Sequence, residues 1–329
     1  MGSKEQLLDS LWSAISRFQP QSVLDLCSGS GVVSYMLKAQ GCSVIANDYM
    51  AMALTAAKAL VVNNNVRLSS YRVSTICDAS DDGDAFVQRT YGNLYFGPSD
   101  TAFIDCARTA IWKLRGLERD LAKAALIRAC IKKRPRGIFT YTGNRYDDGR
   151  KDLKLTLREH FRIAGELLSA AVFSNGKLHQ ASRLDIAVSP PQIAVDVVYL
   201  DPPYFSPLSD NEYVRRYHLV EALACDWKGV EIQPDTKTRK IRNYPTPFRR
   251  EAGASATFDK IADYYRGVPL VISYSSNALP TAEDIYRVLK RHRKRVELIE
   301  VDHLYSFGNH GHIVGGAKNR VKELIFVAY

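Results

Sequence analysis

The chain has 329 residues, 46% of them hydrophobic and 24% charged, enough to bury a substantial core as one large domain or a domain carrying an insertion. No apolar run approaches the roughly 20 residues of a bilayer-spanning helix, and the amino terminus lacks the charged-then-apolar pattern of a secretory signal, so a cytoplasmic, globular protein without membrane contact is expected. The net charge of +10 is compatible with a polyanionic partner, while six cysteines without a C-x-x-C pair suggest neither a disulfide framework nor a zinc site.

Residues 4 to 17 have helical spacing and lead into a short buried strand, Val23 to Cys27. The turn Ser28-Gly29-Ser30-Gly31 follows, then a helix carrying Val32, Val33, Tyr35, Met36 and Leu37, and after Gly41 a second strand, Cys42 to Ala46, that stops at Asn47-Asp48. Ala51 to Val62 reads as a strong helix and Arg72 to Cys77 as a third strand ending at Asp78. This alternation implies a parallel sheet with right-handed crossovers. From about Phe86 to Arg183 it lapses: Ala107 to Lys133 and Asp152 to Phe173 read as long helices around a polar loop, Thr140 to Lys151, and the segment is expected to be an insertion. The sheet resumes with Val195 to Leu200, followed at once by Asp201-Pro202-Pro203-Tyr204. Later come a strand at Leu270 to Tyr274, a helix at Thr281 to Arg293, and two last strands, Val296 to Val301 and Glu323 to Ala328, expected to pair antiparallel.

Two constellations carry chemistry. In the first, Asp25, Ser28, Gly29 and Gly31 sit at one strand end and Asp48 at the next. Glycines admit a close backbone approach, and a carboxylate at the second strand end can accept both hydroxyls of a ribose, which describes an adenosine-containing cofactor. A dinucleotide is the alternative, but Ser34 stands where G-x-G-x-x-G needs its third glycine. Asp78, at the third strand end, is a candidate for the adenine amine; an ordinary loop aspartate is the alternative. In the second constellation, two prolines remove two N–H donors and stiffen the turn, so that Asp201, the Pro202 carbonyl and the Tyr204 ring are presented in fixed relation. Hydrogen bonds from both protons of an aromatic amine to Asp201 and the Pro202 carbonyl would make its nitrogen more tetrahedral and turn the lone pair outward. Tyr204 would stack on the base, which must leave a duplex to reach such a pocket.

At these residues the chain resembles the alpha group of N6-adenine DNA methyltransferases, the Dam-like class that accompanies restriction enzymes. The matching pieces are Gly2-Ser3-Lys4 with Leu7 and Leu8, Asp25 to Gly31, Asn47-Asp48, Tyr199 to Tyr204, Ser206 to Ser209, Ser273 to Asn277 and Val321 to Ile325. The resemblance implies an α/β fold: a Rossmann-like S-adenosylmethionine-dependent methyltransferase sheet, formed by 1–85 and 186–329, with an inserted, mainly helical target-recognition region at 86–185. It implies that Lys4 and the Gly-rich loop help to hold S-adenosylmethionine, Asp48 its ribose, and Asp201, Pro202 and Tyr204 the target adenine. Double-stranded DNA is the expected partner, with a cognate restriction endonuclease as a second. Methylation of cytosine N4, of adenine in RNA, or of protein glutamine stays open, as does a silent DNA-recognition subunit.

Charge points to where DNA would be held. Residues 113–162 carry 15 Lys or Arg against 6 Asp or Glu, a surplus of +9, and residues 215–250 carry 9 against 4, a surplus of +5. Lys132, Lys133 and Arg134 are expected on phosphates and Arg145 and Arg150, in the polar loop, on the target sequence; solvated helical faces are the alternative.

Overall fold

The computed structural model describes residues 4–80, 84–143, 149–206, 212–244, 246–304 and 320–329. The chain divides into two compact units, one of 1–49, 175–212 and 245–329, the other of 50–174 and 213–244.

The first unit holds a seven-stranded sheet: β1 (Ser22–Asp25), β2 (Ser43–Asn47), β3 (Gln180–Ser182), β4 (Val197–Leu200), β5 (Leu270–Ser275), β6 (Val296–Leu304) and β7 (Arg320–Ala328). Their spatial order is β3-β2-β1-β4-β5-β7-β6. The strands from β3 to β5 run parallel, and β7 pairs antiparallel with both β5 and β6, the second of these pairings being the one expected from the sequence. The α/β architecture expected from the sequence is therefore present.

The two-residue period of each strand sorts the sheet into faces. Leu24, Val198, Leu200, Leu270, Ile272, Tyr274, Leu324 and Phe326 join the helices Glu251–Tyr264 and Ala282–His292 in one buried cluster. Asp25, Tyr199, Ser273 and Glu323, each offset by one residue, belong to the opposite face. The helices Leu8–Ser16 and Val32–Ala39 contact the sheet at β7 and at β1 and β2.

One expected strand is a helix. Ser70–Cys77 buries Val73, Ile76 and Cys77 at helical spacing, and the Ser69 side chain caps it by accepting the Arg72 N–H at 3.1 Å. Its place beside β2 is taken by β3, three residues with no buried member, which no apolar signal marks in the sequence. The long helix expected from Ala107 is two, Pro98–Trp112 and Gly116–Lys133, separated where Gly116 takes a φ of +56°.

The second unit is helical throughout its described secondary structure apart from one isolated antiparallel bridge between Ile232 and Ile241, its helices running from Ala51–Ala57, which continues into a π turn at Lys58–Val62, to Leu157–Ala171 and Tyr213–Ala224. It therefore begins at residue 50, whereas the sequence places the start of a helical insertion near residue 86. Within it Glu221, fully buried, accepts the N–H groups of Ala51 at 2.7 Å and Met52 at 2.9 Å, fixing the start of the helix that follows the β2 end, and also receives the Tyr244 hydroxyl. Glu221→Ala would leave two buried donors unpaired and should cost about 2–4 kcal/mol, with Glu221→Gln costing less. Urea midpoints compare the two; equal stability of Glu221→Ala and the parent would remove Glu221 from this role.

Candidate active site

The first constellation forms at the carboxyl ends of β1 and β2, where open α/β sheets receive ligands. Asp25, the last residue of β1, is fully buried, and the Ser34 hydroxyl donates to its Oδ2 at 2.6 Å. Its Oδ1 is buried with no hydrogen-bond partner among the described residues, and so is the Ser28 hydroxyl oxygen. Such atoms are costly unless a ligand satisfies them. Gly29 and Gly31 take φ of +52° and +78°, and a Cβ at Gly31 would meet nothing within 4 Å, so the turn leaves open space above it. Asp48, just past β2, accepts the Gly29 N–H at 2.9 Å and so ties the two strand ends together. Fully buried Asn47 locks the same region, donating to the Leu26 carbonyl at 3.1 Å and the Leu184 carbonyl at 3.0 Å while accepting the Ser182 hydroxyl at 2.7 Å.

Burial pushes the Asp25 carboxyl up to about 7, the Ser34 hydrogen bond opposing it and the nearby Asp201 and Asp48 carboxylates reinforcing it. The Cys27 thiol is pushed well up by burial and then by Asp48, Asp25 and Asp201, so it stays protonated and is a poor nucleophile. Asp185 follows β3, and its neighbour Leu184 is bonded through both its N–H and its carbonyl to Asn47 at the end of β2.

The second constellation lies at the end of β4, whose four residues are all buried. Asp201 Oδ1 receives the Ser273 hydroxyl at 3.0 Å and faces the Lys4 ammonium at 3.1 Å and the Tyr204 hydroxyl at 3.1 Å. Ser273, on β5, is in turn 2.8 Å from the Tyr199 hydroxyl, and burial pushes the Tyr199 phenol well up, so it remains a donor. Glu323 Oε2, on β7, lies 3.1 Å from the Tyr204 hydroxyl and 3.6 Å from the Lys4 ammonium, and Lys4 also donates to the Tyr204 hydroxyl oxygen. The Tyr204 ring meets Tyr274 edge to face, centroids 4.9 Å apart. Asp201 Oδ2 and the Pro202 carbonyl have no partner among the described residues. A carboxylate oxygen and a carbonyl from adjacent residues of one rigid turn are thus left to accept two hydrogen bonds from N–H donors.

The other sequence-derived candidates divide. Lys4 stands on Asp201, Tyr204 and Glu323, so the contact it makes is with the second constellation and not with the glycine turn. Asp78 ends a helix instead of a strand, is largely exposed, and lies 3.5 Å from Arg158. The reasoning that gave it the adenine amine fails with the strand. Arg134 is fully buried and donates to the carbonyls of Ile138 at 3.1 Å, Gly143 at 2.7 Å and Tyr141, which makes it a strut of its own loop and removes it from any phosphate. Lys133 is similarly spent on the carbonyls of Leu153 at 3.0 Å and Leu155 at 2.6 Å. Lys132 is half-exposed and paired with Asp152 at 3.1 Å, and Arg150 donates to the Arg134 carbonyl at 3.1 Å. Arg145 lies outside the described residues.

Sequence reasoning gave no role to Ser34, Asn47, Tyr199, Ser273 or Glu323. Period two on strands whose neighbours are known would have grouped the last three. The carboxylate of Glu323 inside an apolar strand was itself a signal, because a buried charge needs a partner.

One family model and three relatives match the chain. The family model described as D12 class N6 adenine-specific DNA methyltransferase matches residues 1–226. The type II methyltransferase M2.HphI of Haemophilus parahaemolyticus is 27% identical, across 99% of this chain and 96% of its own length. The type II methyltransferase M.FokI of Planomicrobium okeanokoites is 24% identical over 89% of this chain, and the modification methylase StsI of Streptococcus sanguinis 23% over 88%; the match takes in 46% of either relative. The chain thus spans nearly all of the first relative and about half the length of the other two.

The raised Asp25 carboxyl has a testable sign. A carboxyl that holds its proton more tightly folded than unfolded contributes stability that is full below about pH 4 and is lost as pH rises through about 7. Asp25→Asn, neutral at every pH, should therefore show a flatter melting temperature between about pH 4 and 8 than the parent, by several degrees over the range. Parallel melting curves would mean that Asp25 is ionised throughout.

Proposed function

Because the chain belongs to the D12 class of N6 adenine-specific DNA methyltransferases, we propose that it transfers a methyl group from S-adenosylmethionine to N6 of an adenine swung out of duplex DNA, with Asp201, Pro202 and Tyr204 receiving that base. The observation that carries this reading is the division of Asp201: Oδ1 is held by Ser273 and faces Lys4 and Tyr204, while Oδ2 and the Pro202 carbonyl are left for an amine.

The donor fits the Gly-rich turn between β1 and the helix Val32–Ala39. Asp25 Oδ1 and the Ser28 hydroxyl, both buried without partners among the described residues, take polar groups of the donor, and the space over Gly31 admits it close to the backbone. Asp48 accepts the ribose hydroxyls beside the Gly29 N–H it already holds. Asp185, after the strand that does occupy the third position, takes the adenine-amine role first expected of Asp78. When bound, S-adenosylmethionine supplies a methyl group made electrophilic by its sulfonium.

The protein's part is positional. Asp201 Oδ2 and the Pro202 carbonyl each accept a hydrogen bond from one N6–H, which draws the N6 lone pair out of conjugation and aims it at the donor, and the surplus proton of the methylated amine leaves by way of Asp201 Oδ2. Little formal base strength is required, since holding the atoms at near-attack distance and stabilising the charge that develops on nitrogen can supply most of the acceleration. Tyr204 stacks on the extruded base and offsets part of the unstacking cost.

We assign the sheet unit to catalysis and the basic stretches within 86–185 and 215–250 to DNA. With Lys133 and Arg134 committed to carbonyls, Lys132, Arg145 and Arg150 are the cations assigned to the duplex. The Lys132 to Asp152 pair is exposed and weak, so a phosphate can replace the carboxylate. We assign the chain to the cytoplasm beside a cognate restriction endonuclease, and two of its relatives are named as type II methyltransferases. No helix among the described residues is long and apolar enough to cross a membrane.

Asp201→Ala should bind S-adenosylmethionine with unchanged affinity and lose methyl transfer by at least about a hundredfold. Asp48→Ala should weaken S-adenosylmethionine first. Titration calorimetry together with methyl incorporation into DNA separates the two, and near-normal turnover of Asp201→Ala would refute its assignment. Neutralising Lys132 and Arg150 together should lower the slope of log affinity against log salt by roughly 0.9 for each phosphate that is no longer neutralised. An unchanged slope would take both residues off the DNA.

A further inference from the structure

We propose that Glu323 is a positioning residue for methyl transfer: through Lys4 and Tyr204 it keeps Asp201 turned so that one carboxylate oxygen faces the target amine. The inference rests on the reading of Asp201 given above and concerns a residue outside the Asp-Pro-Pro-Tyr turn.

Glu323 sits on β7, opposite Ser275 of β5 and Val301 of β6. It is 1% exposed, and Leu324, Ile325, Phe326, Val327 and Ala328, which complete the strand, are all buried. An apolar residue would serve such a strand at least as well, because burying a carboxylate costs more than its pairing usually returns. The carboxylate is directed at the site: its Oε2 lies 3.1 Å from the Tyr204 hydroxyl and 3.6 Å from the Lys4 ammonium. The same two groups face Asp201 Oδ1, each at 3.1 Å.

The Tyr204 hydroxyl has one proton and two carboxylate acceptors at equal distance, so it can donate to Asp201 or to Glu323 but not to both at once. Glu323 therefore competes with Asp201 for that proton and for Lys4. Without it the hydroxyl and the ammonium would both collapse onto Asp201, draw its charge toward Oδ1 and weaken Oδ2 as an acceptor. Ser273 holds Asp201 from β5, and Glu323 holds Tyr204 and Lys4 from β7, so two neighbouring strands fix one carboxylate from two sides.

Glu323→Gln keeps the shape and removes the charge. The expected result is a fall in kcat of about 10- to 100-fold, with S-adenosylmethionine affinity and melting temperature close to the parent's. In a Tyr204→Phe background the same substitution should cost less, since one of the two groups through which it acts is already gone. A strut of the sheet would give the opposite pattern: lower stability and equal losses in both backgrounds. Parent-like kcat in Glu323→Gln, or additive losses, would overturn the proposal. If Glu323→Gln does not fold, Glu323→Asp, which retains the charge and withdraws it by one methylene, carries the comparison; it should fold and lose kcat, and normal kcat or failure to fold would count against a positioning role. Parent protein assayed alongside on DNA separates the two levels, because a parent that transfers no methyl group to adenine would refute the reading of the site itself.

Discussion

The structure depends on gathering carboxylates at the ends of a parallel sheet and keeping them there in spite of their repulsion. Asp25 ends β1, Asp48 follows β2, Asp201 follows β4 and Glu323 enters from β7. Each is restrained by a specific donor: Ser34 for Asp25, the Gly29 N–H for Asp48, Ser273 for Asp201, and the Tyr204 hydroxyl with the Lys4 ammonium for Glu323. Burial, reinforced by the neighbouring carboxylates, shifts the proton equilibrium at the most deeply placed of them, and the Asp25 carboxyl rises to about 7. A cationic methyl donor held beside Asp25 and Asp48 would relieve the repulsion between those two, so the charges at the glycine turn that destabilise the apoprotein favour the complex.

The split of roles between the two carboxylate oxygens of Asp201 follows from sheet geometry. Period two along β4 and β5 puts Tyr199, Asp201 and Ser273 on one face, and the parallel pairing of these strands brings the Ser273 hydroxyl to the carboxylate. The two prolines that follow keep the turn from relaxing into the sheet, because neither can donate a ladder hydrogen bond. Rigid presentation of acceptors is what an amine of low basicity requires, and here it arises from strand order and proline content without an added base.

Much of this was legible in the sequence. Strand, Gly-rich turn, helix and strand up to Asp48, and the run from Val195 into Asp-Pro-Pro-Tyr, are local patterns whose periodicity and turn residues suffice. What escaped has physical reasons. Arg72 to Cys77 reads as a strand because β-branched Val73, Thr75 and Ile76 crowd a short segment, while the Ser69 cap of the helix that forms is equally at home in a loop. The three-residue β3 buries nothing and owes its strand conformation to the edge of β2. Lys4, Tyr204 and Glu323 are separated by up to 319 positions in the chain and meet only because β7 inserts between β5 and β6. Arg134 looks like a surface cation by charge alone, yet a guanidinium with five donors is also the best side chain for satisfying several loop carbonyls at once.

Methyl transfer as proposed turns on Asp201 meeting the target amine through Oδ2 while its other oxygen stays tied to the protein. A crystal structure of the chain with an unreactive analogue of the methyl donor and a duplex carrying its target adenine tests this most directly. The expected complex has N6 within hydrogen-bond distance of Asp201 Oδ2 and the Pro202 carbonyl, with Ser273 and Lys4 still on Oδ1. An adenine bound at Oδ1 with Lys4 displaced, or one that does not touch Asp201, would contradict it.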